Sequence, residues 1–264
     1  MKQKIDEPAA GTRPQGVQDE TEAARRVREM FGAIAPRYDF LNHLLSFSSD
    51  RWWRWRAIRR VRHVLRPGAR ALDICCGTGD LTFAIEREAR REAGGQLEIY
   101  GGDFVHGMLV RAREKAAQKK SQAQFVAVDA LRLPFAAQAF DLIAVAFGFR
   151  NLANYRAGID EFLRVLRPGG VLAILEFSEP PGRKFGRLYG FYFEKILPVI
   201  GGLVSGSRQA YGYLPASVAR FPSPENLASS LQSAGFKNVR FERWMGGVVA
   251  LHIAERPVPN RIQE

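Results

Sequence analysis

The sequence predicts an α/β protein: a doubly wound, mostly parallel sheet that ends in a C-terminal antiparallel hairpin. Three observations carry this expectation. Short apolar runs alternate with helical stretches between residues 70 and 177. The first run leads into Gly77-Thr78-Gly79, a tight turn that opens a helix. Acids stand in or just after the first three runs, at Asp73, Asp103 and Asp129. Open α/β sheets bind ligands beyond those carboxyl ends.

Residues 1–20 are polar, contain Pro and Gly and lack an apolar leader, so a disordered tail without a signal peptide is expected. Residues 21–66 read as largely helical, broken near Ala35-Pro36, and form an N-terminal segment facing substrate or membrane. The main domain is expected over 67–256. Its strands fall at 70–75, 97–102, 124–128, 140–147 and 171–177. Helices fill 80–93, 106–119 and 155–166, the last stopping at Arg167-Pro168-Gly169-Gly170. Residues 183–221 break the rhythm with aromatics, glycines and basic residues and read as an insert or lid. A helix over 224–234 ends at Gly235. Runs at 238–244 and 248–254, joined across Gly246-Gly247, form the hairpin. Residues 257–264 are a tail.

The formal net charge of +12 favours anionic partners, nucleic acid or an anionic membrane surface. The two cysteines, Cys75 and Cys76, are adjacent. They suit neither an unstrained disulfide nor a metal site, which implies a reducing cytoplasm and no metal. The most apolar later stretch, 196–204, is too short to span a bilayer, so any membrane contact is expected to be peripheral.

The glycines of the first turn, Gly77 and Gly79, let backbone approach a ligand closely. Asp103 at the end of the second strand suits a ribose diol, as found in dinucleotides and in S-adenosylmethionine. Charge separates the two. A pyrophosphate would rest on the helix N-terminus, and here Asp73 and Asp80 would repel it. Two carboxylates suit a cofactor with an ammonium and a sulfonium instead. The third glycine of the dinucleotide pattern is replaced by Thr82. Asp80 also reads as a simple helix N-cap.

Several separated stretches resemble the menaquinone and ubiquinone biosynthesis C-methyltransferases (UbiE/MenG). They are FGAIAPRYDFLNHLLSFSSDRWW at 31–53, LDICCGTGDLT at 72–82, Asp103 with Met108-Leu109, LPF at 133–135 with FDLI at 140–143, FGFRN at 147–151, RVLRPGGVLAILEFS at 164–178 and GGVVALH at 246–252. Together they span nearly the whole chain after residue 25. The chain departs from the family at Leu41, usually Met, and at Asp50, usually His; Cys75-Cys76 and Ala146 also differ from common members.

The resemblance implies a class I S-adenosylmethionine-dependent methyltransferase fold and C-methylation of a prenylated quinol. Demethylmenaquinol is the expected substrate, with 2-polyprenyl-6-methoxy-benzoquinol the alternative. Thr78, Asp103, Asp129 and Ala130 fall on the family's cofactor contacts. The reduced ring must lose a phenolic proton to make its carbon nucleophilic, so phenolate stabilisation is needed. Arg150, at the mouth of the site, is the candidate for it, with Asn151 and Tyr38 as hydrogen-bond partners. Arg150 pairing with an acid at a helix start is the plain alternative.

A polyprenyl quinol resides in the membrane. In RWWRWRAIRRVRHVLR at 51–66, Trp53, Ala57, Val61, Val64 and Leu65 share a core face. Trp52, Trp55, Arg59, Arg62 and Arg66 share another, which suits an anionic interface at the inner face of the cell membrane as well as a solvated basic helix. A homodimer is compatible with the sequence. The rival class is an RNA methyltransferase, which the charge permits. It lacks support at residues 147–151, where no Pro-Pro-aromatic loop stands, and nucleic acid is not an expected partner.

Overall fold

The computed structural model describes residues 11–14, 16–17, 19–35, 46, 49–94, 97–182 and 208–259. Tyr38, residues 183–207 of the expected insert and most of the expected tails lie outside these described residues.

Two helices precede the sheet. α1 spans Glu20–Ile34, and its Asp19 cap accepts from the Glu22 backbone N–H at 2.8 Å. α2 spans Ser49–Arg60. Then follow β1 (Arg70–Ile74), α3 (Asp80–Ala93), β2 (Glu98–Asp103), α4 (His106–Lys119), β3 (Gln124–Ala127), β4 (Phe140–Ala146), α5 (Tyr155–Val165) and β5 (Leu166–Phe177). The chain closes with α6 (Arg208–Arg220), α7 (Pro224–Ser233), β6 (Lys237–Trp244) and β7 (Val249–Glu255).

Among the described residues these strands form one seven-stranded sheet in the order β3-β2-β1-β4-β5-β7-β6. The pairs from β3 to β5 are parallel, and β7 runs antiparallel to both β5 and β6. The predicted fold class is therefore the observed one. Chain order reverses between β1 and β4, and this reversal opens a crevice at the carboxyl edge.

Both sheet faces are buried, which is why the parallel strands read as nearly unbroken apolar runs. Leu72, Ile74, Ile143, Val145, Leu172 and Ile174 pack one way, with Phe149, Ile159, Phe162 and Leu231. Ala71, Leu142, Ala144, Ala173 and Leu175 pack the other way, with Trp53, Ile58, Leu81 and Ile85. The period-two alternation splits the strand residues between two cores.

Two boundaries differ from expectation. The helix predicted through residue 66 ends at Arg60, and a 3-10 turn over Arg62–Val64 follows. Arg62 and Arg66 therefore do not continue a helical stripe begun by Trp52. β5 starts at Leu166 rather than at Val171. Leu166 pairs with Phe140 and Val171 with Leu142, so the Arg167-to-Gly170 segment bulges between two paired positions. Gly169 takes φ +77° there, a backbone form that glycine tolerates best.

Phe162 is fully buried, 6.2 Å from the Phe149 ring centroid. Phe162→Ala should lower unfolding free energy by about 3–5 kcal/mol. Urea denaturation reads this directly; a loss below about 1 kcal/mol would show that the core collapses around the deletion.

Candidate functional site

The ends of β1, β2 and β4 meet at the reversal point around a cavity of about 40 Å³. Cys75, Gly77, Asp103, Val105, Gly148 and Asn151 line it, with Phe31, Phe104, Met108 and Phe147. Cys75 and Phe147 both hold positive φ, 56° and 61°. Such strain in non-glycine residues persists only where the surroundings fix it. Gly148 is required by space: a Cβ there would stand 2.3 Å from that of Cys75.

Asp103 ties the first two turns together. Its Oδ2 accepts from the Gly77 N–H at 2.8 Å, and its Oδ1 accepts from the Val105 N–H at 2.8 Å. Burial raises its pKa, and these backbone donors oppose the rise. Each carboxylate oxygen has a second lone pair for a further donor.

Asp73 lies one strand away and is 1% exposed. Its Oδ2 accepts from the Thr82 hydroxyl at 2.6 Å. The residue that replaces the third glycine is therefore what holds this acid. Asp73 Oδ1 is buried without a hydrogen-bond partner among the described residues. Burial pushes the Asp73 carboxyl up to about 7, against the Thr82 bond and the nearby Arg54 charge. An orphaned buried carboxylate oxygen calls for a cationic or donor ligand.

Asp80 departs from its expected part. Lys115 donates to its Oδ1 at 2.6 Å, and Arg54 stands 4.0 Å from Oδ2. Its charge is thus countered, and the case against a pyrophosphate rests on Asp73 and Asp103. Nor is Asp80 the helix cap: Gly79, at φ 90°, holds that position without a side-chain bond. Lys115 also donates to the Thr78 hydroxyl at 3.0 Å, and Thr78 is buried. Asp50 is buried in an ion pair with Arg54 and accepts from the Ser46 hydroxyl at 2.8 Å.

Asp129 is exposed just past β3, and its Oδ1 accepts from the Leu131 N–H at 2.9 Å. Burial pushes the Cys75 thiol up, with Asp103, Asp73, Glu176 and, least, Asp129 adding to the rise. Ala130 is buried beside Asp129.

Arg150 is not at an open mouth; it is 5% exposed. Its guanidinium donates to Glu176 Oε1 at 2.8 Å and to the Phe147 carbonyl. The acid it pairs with lies on β5 rather than at a helix start. Asn151, one residue on, lines the cavity. Its Oδ1 accepts from the Tyr213 hydroxyl of α6 at 3.0 Å. Sequence reasoning missed Thr82, Lys115, Glu176, Arg54 and Tyr213. Only Thr82 had a visible signal, as the polar residue at a glycine position. Among the described residues, no group of three or more His, Cys, Asp or Glu side chains could hold a metal ion.

The Asp73 shift sets a pH dependence. Between about 3.8 and about 7 the unfolded carboxyl is ionised while the buried one keeps its proton. The folded state then binds more protons, so stability falls as pH rises through that window. The destabilisation is fully present above about 7. Melting temperatures across the window should fall more steeply in the wild type than in Asp73→Asn; equal slopes would show that Asp73 ionises normally.

The ubiE/COQ5 methyltransferase family model matches residues 18–256. A demethylmenaquinone methyltransferase of Thermus thermophilus is 46% identical over 86% of this chain and 100% of its own length. A ubiquinone/menaquinone biosynthesis C-methyltransferase UbiE of Geobacter sulfurreducens is 42% identical, over 89% of this chain and 90% of its own. The crystal structure of a SAM dependent methyltransferase from Aquifex aeolicus aligns with a TM-score of 0.55 at 18% identity, over 75% of this chain and 88% of that one. That last likeness speaks to fold alone. The match across nearly the whole chain decides the family: this chain belongs to the ubiE/COQ5 methyltransferase family.

Proposed function

We propose that this chain transfers the methyl group of S-adenosylmethionine to a ring carbon of a prenylated quinol, with demethylmenaquinol as substrate. The unpartnered Asp73 oxygen at the β1/β4 reversal point carries the cofactor part of the reading. The names of the Thermus and Geobacter relatives support the quinol part.

The donor set suits the co-substrate. Asp73 Oδ1 takes an ammonium. Asp103, held rigid by two backbone donors, offers its remaining lone pairs to a ribose diol. Gly77 and Gly79 bring backbone close to the ligand, and Thr78 is fixed between them by Lys115. Asp129 and the Ala130 N–H serve the adenine edge. The cavity is far below the ~300 Å³ of ordinary ligand pockets, so its lining must open further to admit the co-substrate.

When bound, S-adenosylmethionine would supply an electrophilic methyl: the ring carbon's electron pair bonds to it as the C–S bond breaks, S-adenosylhomocysteine leaves, and the ring carbon's own proton is lost to restore the aromatic ring. The protein's own task is to place that carbon in line and favour the phenolate. Asn151, which lines the cavity, is the proposed donor to the phenolate oxygen. Arg150 holds the 147–151 turn through the Phe147 carbonyl and Glu176. Tyr38 remains a candidate partner of the same oxygen.

The rim of the site suits an anionic bilayer. Trp244 at the end of β6 pairs with Val249, which pairs with Phe177 at the carboxyl end of β5. The β6–β7 turn thus lies on the cavity's side of the sheet. Met245 there is 54% exposed and Trp52 of α2 is 43% exposed. Arg56 stands 5.2 Å from the Trp52 ring and 5.1 Å from the Trp244 ring. Aromatic and cationic side chains together favour a headgroup region. No helix among the described residues is long and apolar enough to cross a membrane.

The test is methyl transfer from labelled S-adenosylmethionine to chemically reduced demethylmenaquinol in phosphatidylglycerol or phosphatidylcholine vesicles, beside oxidised quinone, the benzoquinol and total RNA. Label should enter the reduced naphthoquinol only, faster in anionic vesicles, and Trp52→Ala should erase that vesicle preference. Label in RNA, or none in quinol, refutes the reaction; an unchanged vesicle preference refutes only the rim.

A further inference from the structure

One hydrogen bond joins two cavities. Tyr213 lines a groove of about 720 Å³ between α1 and α6, together with Thr12, Val27, Met30 and Ala33. Its hydroxyl donates to Asn151 Oδ1 at 3.0 Å, and Asn151 lines the small cavity that holds Gly77 and Asp103. The Thr12 hydroxyl lies 2.8 Å from the same Tyr213 oxygen. Tyr213 has a single proton, and it goes to Asn151, so Thr12 donates to Tyr213.

The relay is anchored at both ends. The Thr12 N–H donates to the Leu152 carbonyl at 2.7 Å, and Arg13 donates to the Ala153 carbonyl at 2.6 Å. The Asn151 N–H donates to the Gly148 carbonyl at 3.0 Å. Burial keeps the Tyr213 phenol protonated, and therefore a donor, above its ordinary range.

A carboxamide presents an acceptor at one end and donors at the other. With Oδ1 held by Tyr213, Nδ2 is the end left for the cavity. A flipped amide would set a carbonyl oxygen against a developing phenolate, which is repulsive. We infer that Tyr213 is a positioning residue: with Thr12 it fixes the Asn151 amide so that its N–H₂ faces the quinol oxygen, at the point where groove and methyl-transfer cavity meet. This rests on the quinol reading above.

The experiment uses full-length Tyr213→Phe, Asn151→Ala and the double variant with reduced demethylmenaquinol, with S-adenosylmethionine affinity measured by calorimetry. Tyr213→Phe should lower kcat about tenfold, leave cofactor affinity unchanged and shift the half-maximal rate to higher pH. In the double variant kcat should match that of Asn151→Ala within about twofold, because Tyr213 acts through Asn151. Multiplying losses, or a raised quinol KM at unchanged kcat, would overturn the inference while leaving the reaction intact. If Tyr213→Phe does not fold, Thr12→Val is read the same way, with a smaller fall in kcat expected. Absence of quinol methylation by the wild type would overturn the reaction and this inference together.

Discussion

The site depends on the carboxylate of Asp103 reaching two backbone amides at once. Gly77 follows β1 and Val105 follows β2, and both N–H groups end on the same side chain at 2.8 Å. Without it, the buried Val105 N–H would lose its partner, a cost of ~1–3 kcal/mol, and the half-buried Gly77 N–H would lose its own. The same bonds compensate the burial of the charge itself. The two turns are thereby locked in register. Thr82 fixes Asp73, and the close contact of Gly148 with Cys75 brings the β4 turn against them. Three strand ends become one wall, with Asp103 lining the cavity and Asp73 buried behind it.

This wall selects for positive charge through what it leaves unpaired. Asp80 and Asp50 are acids in the same neighbourhood, but Lys115 and Arg54 counter them. Asp73 keeps an oxygen without a partner among the described residues and pays for burial with a raised pKa. A ligand ammonium would satisfy that oxygen and draw the carboxyl back to its ionised form. In the proposed reading the group that binds the ligand is thus the group that burial perturbs.

Local pattern made much of this legible. The alternation of strand and helix, the Gly77-Thr78-Gly79 turn and the acids after successive strands are features of a few consecutive residues. They pointed to the carboxyl edge at the β1/β4 reversal, where Asp73 and Asp103 stand. What stayed hidden is pairing across the chain. Asp80 meets Lys115 and Arg150 meets Glu176 only after the sheet assembles. A sequence shows such an arginine as an open catalytic charge when the fold has already matched it. Tyr213 reaches Asn151 across 62 positions, and nothing in the run around it announces that contact. The bulge that begins β5 shows only in the strand register, where Leu166 pairs with Phe140 and Val171 with Leu142.

The most direct measurement of this account is isothermal titration calorimetry of S-adenosylmethionine near pH 7, in buffers of different ionisation enthalpy, beside a nicotinamide dinucleotide. S-adenosylmethionine should bind with a proton release that disappears in Asp73→Asn, and the dinucleotide should not bind. Binding of the dinucleotide, or S-adenosylmethionine binding with the same proton release in both proteins, would contradict it.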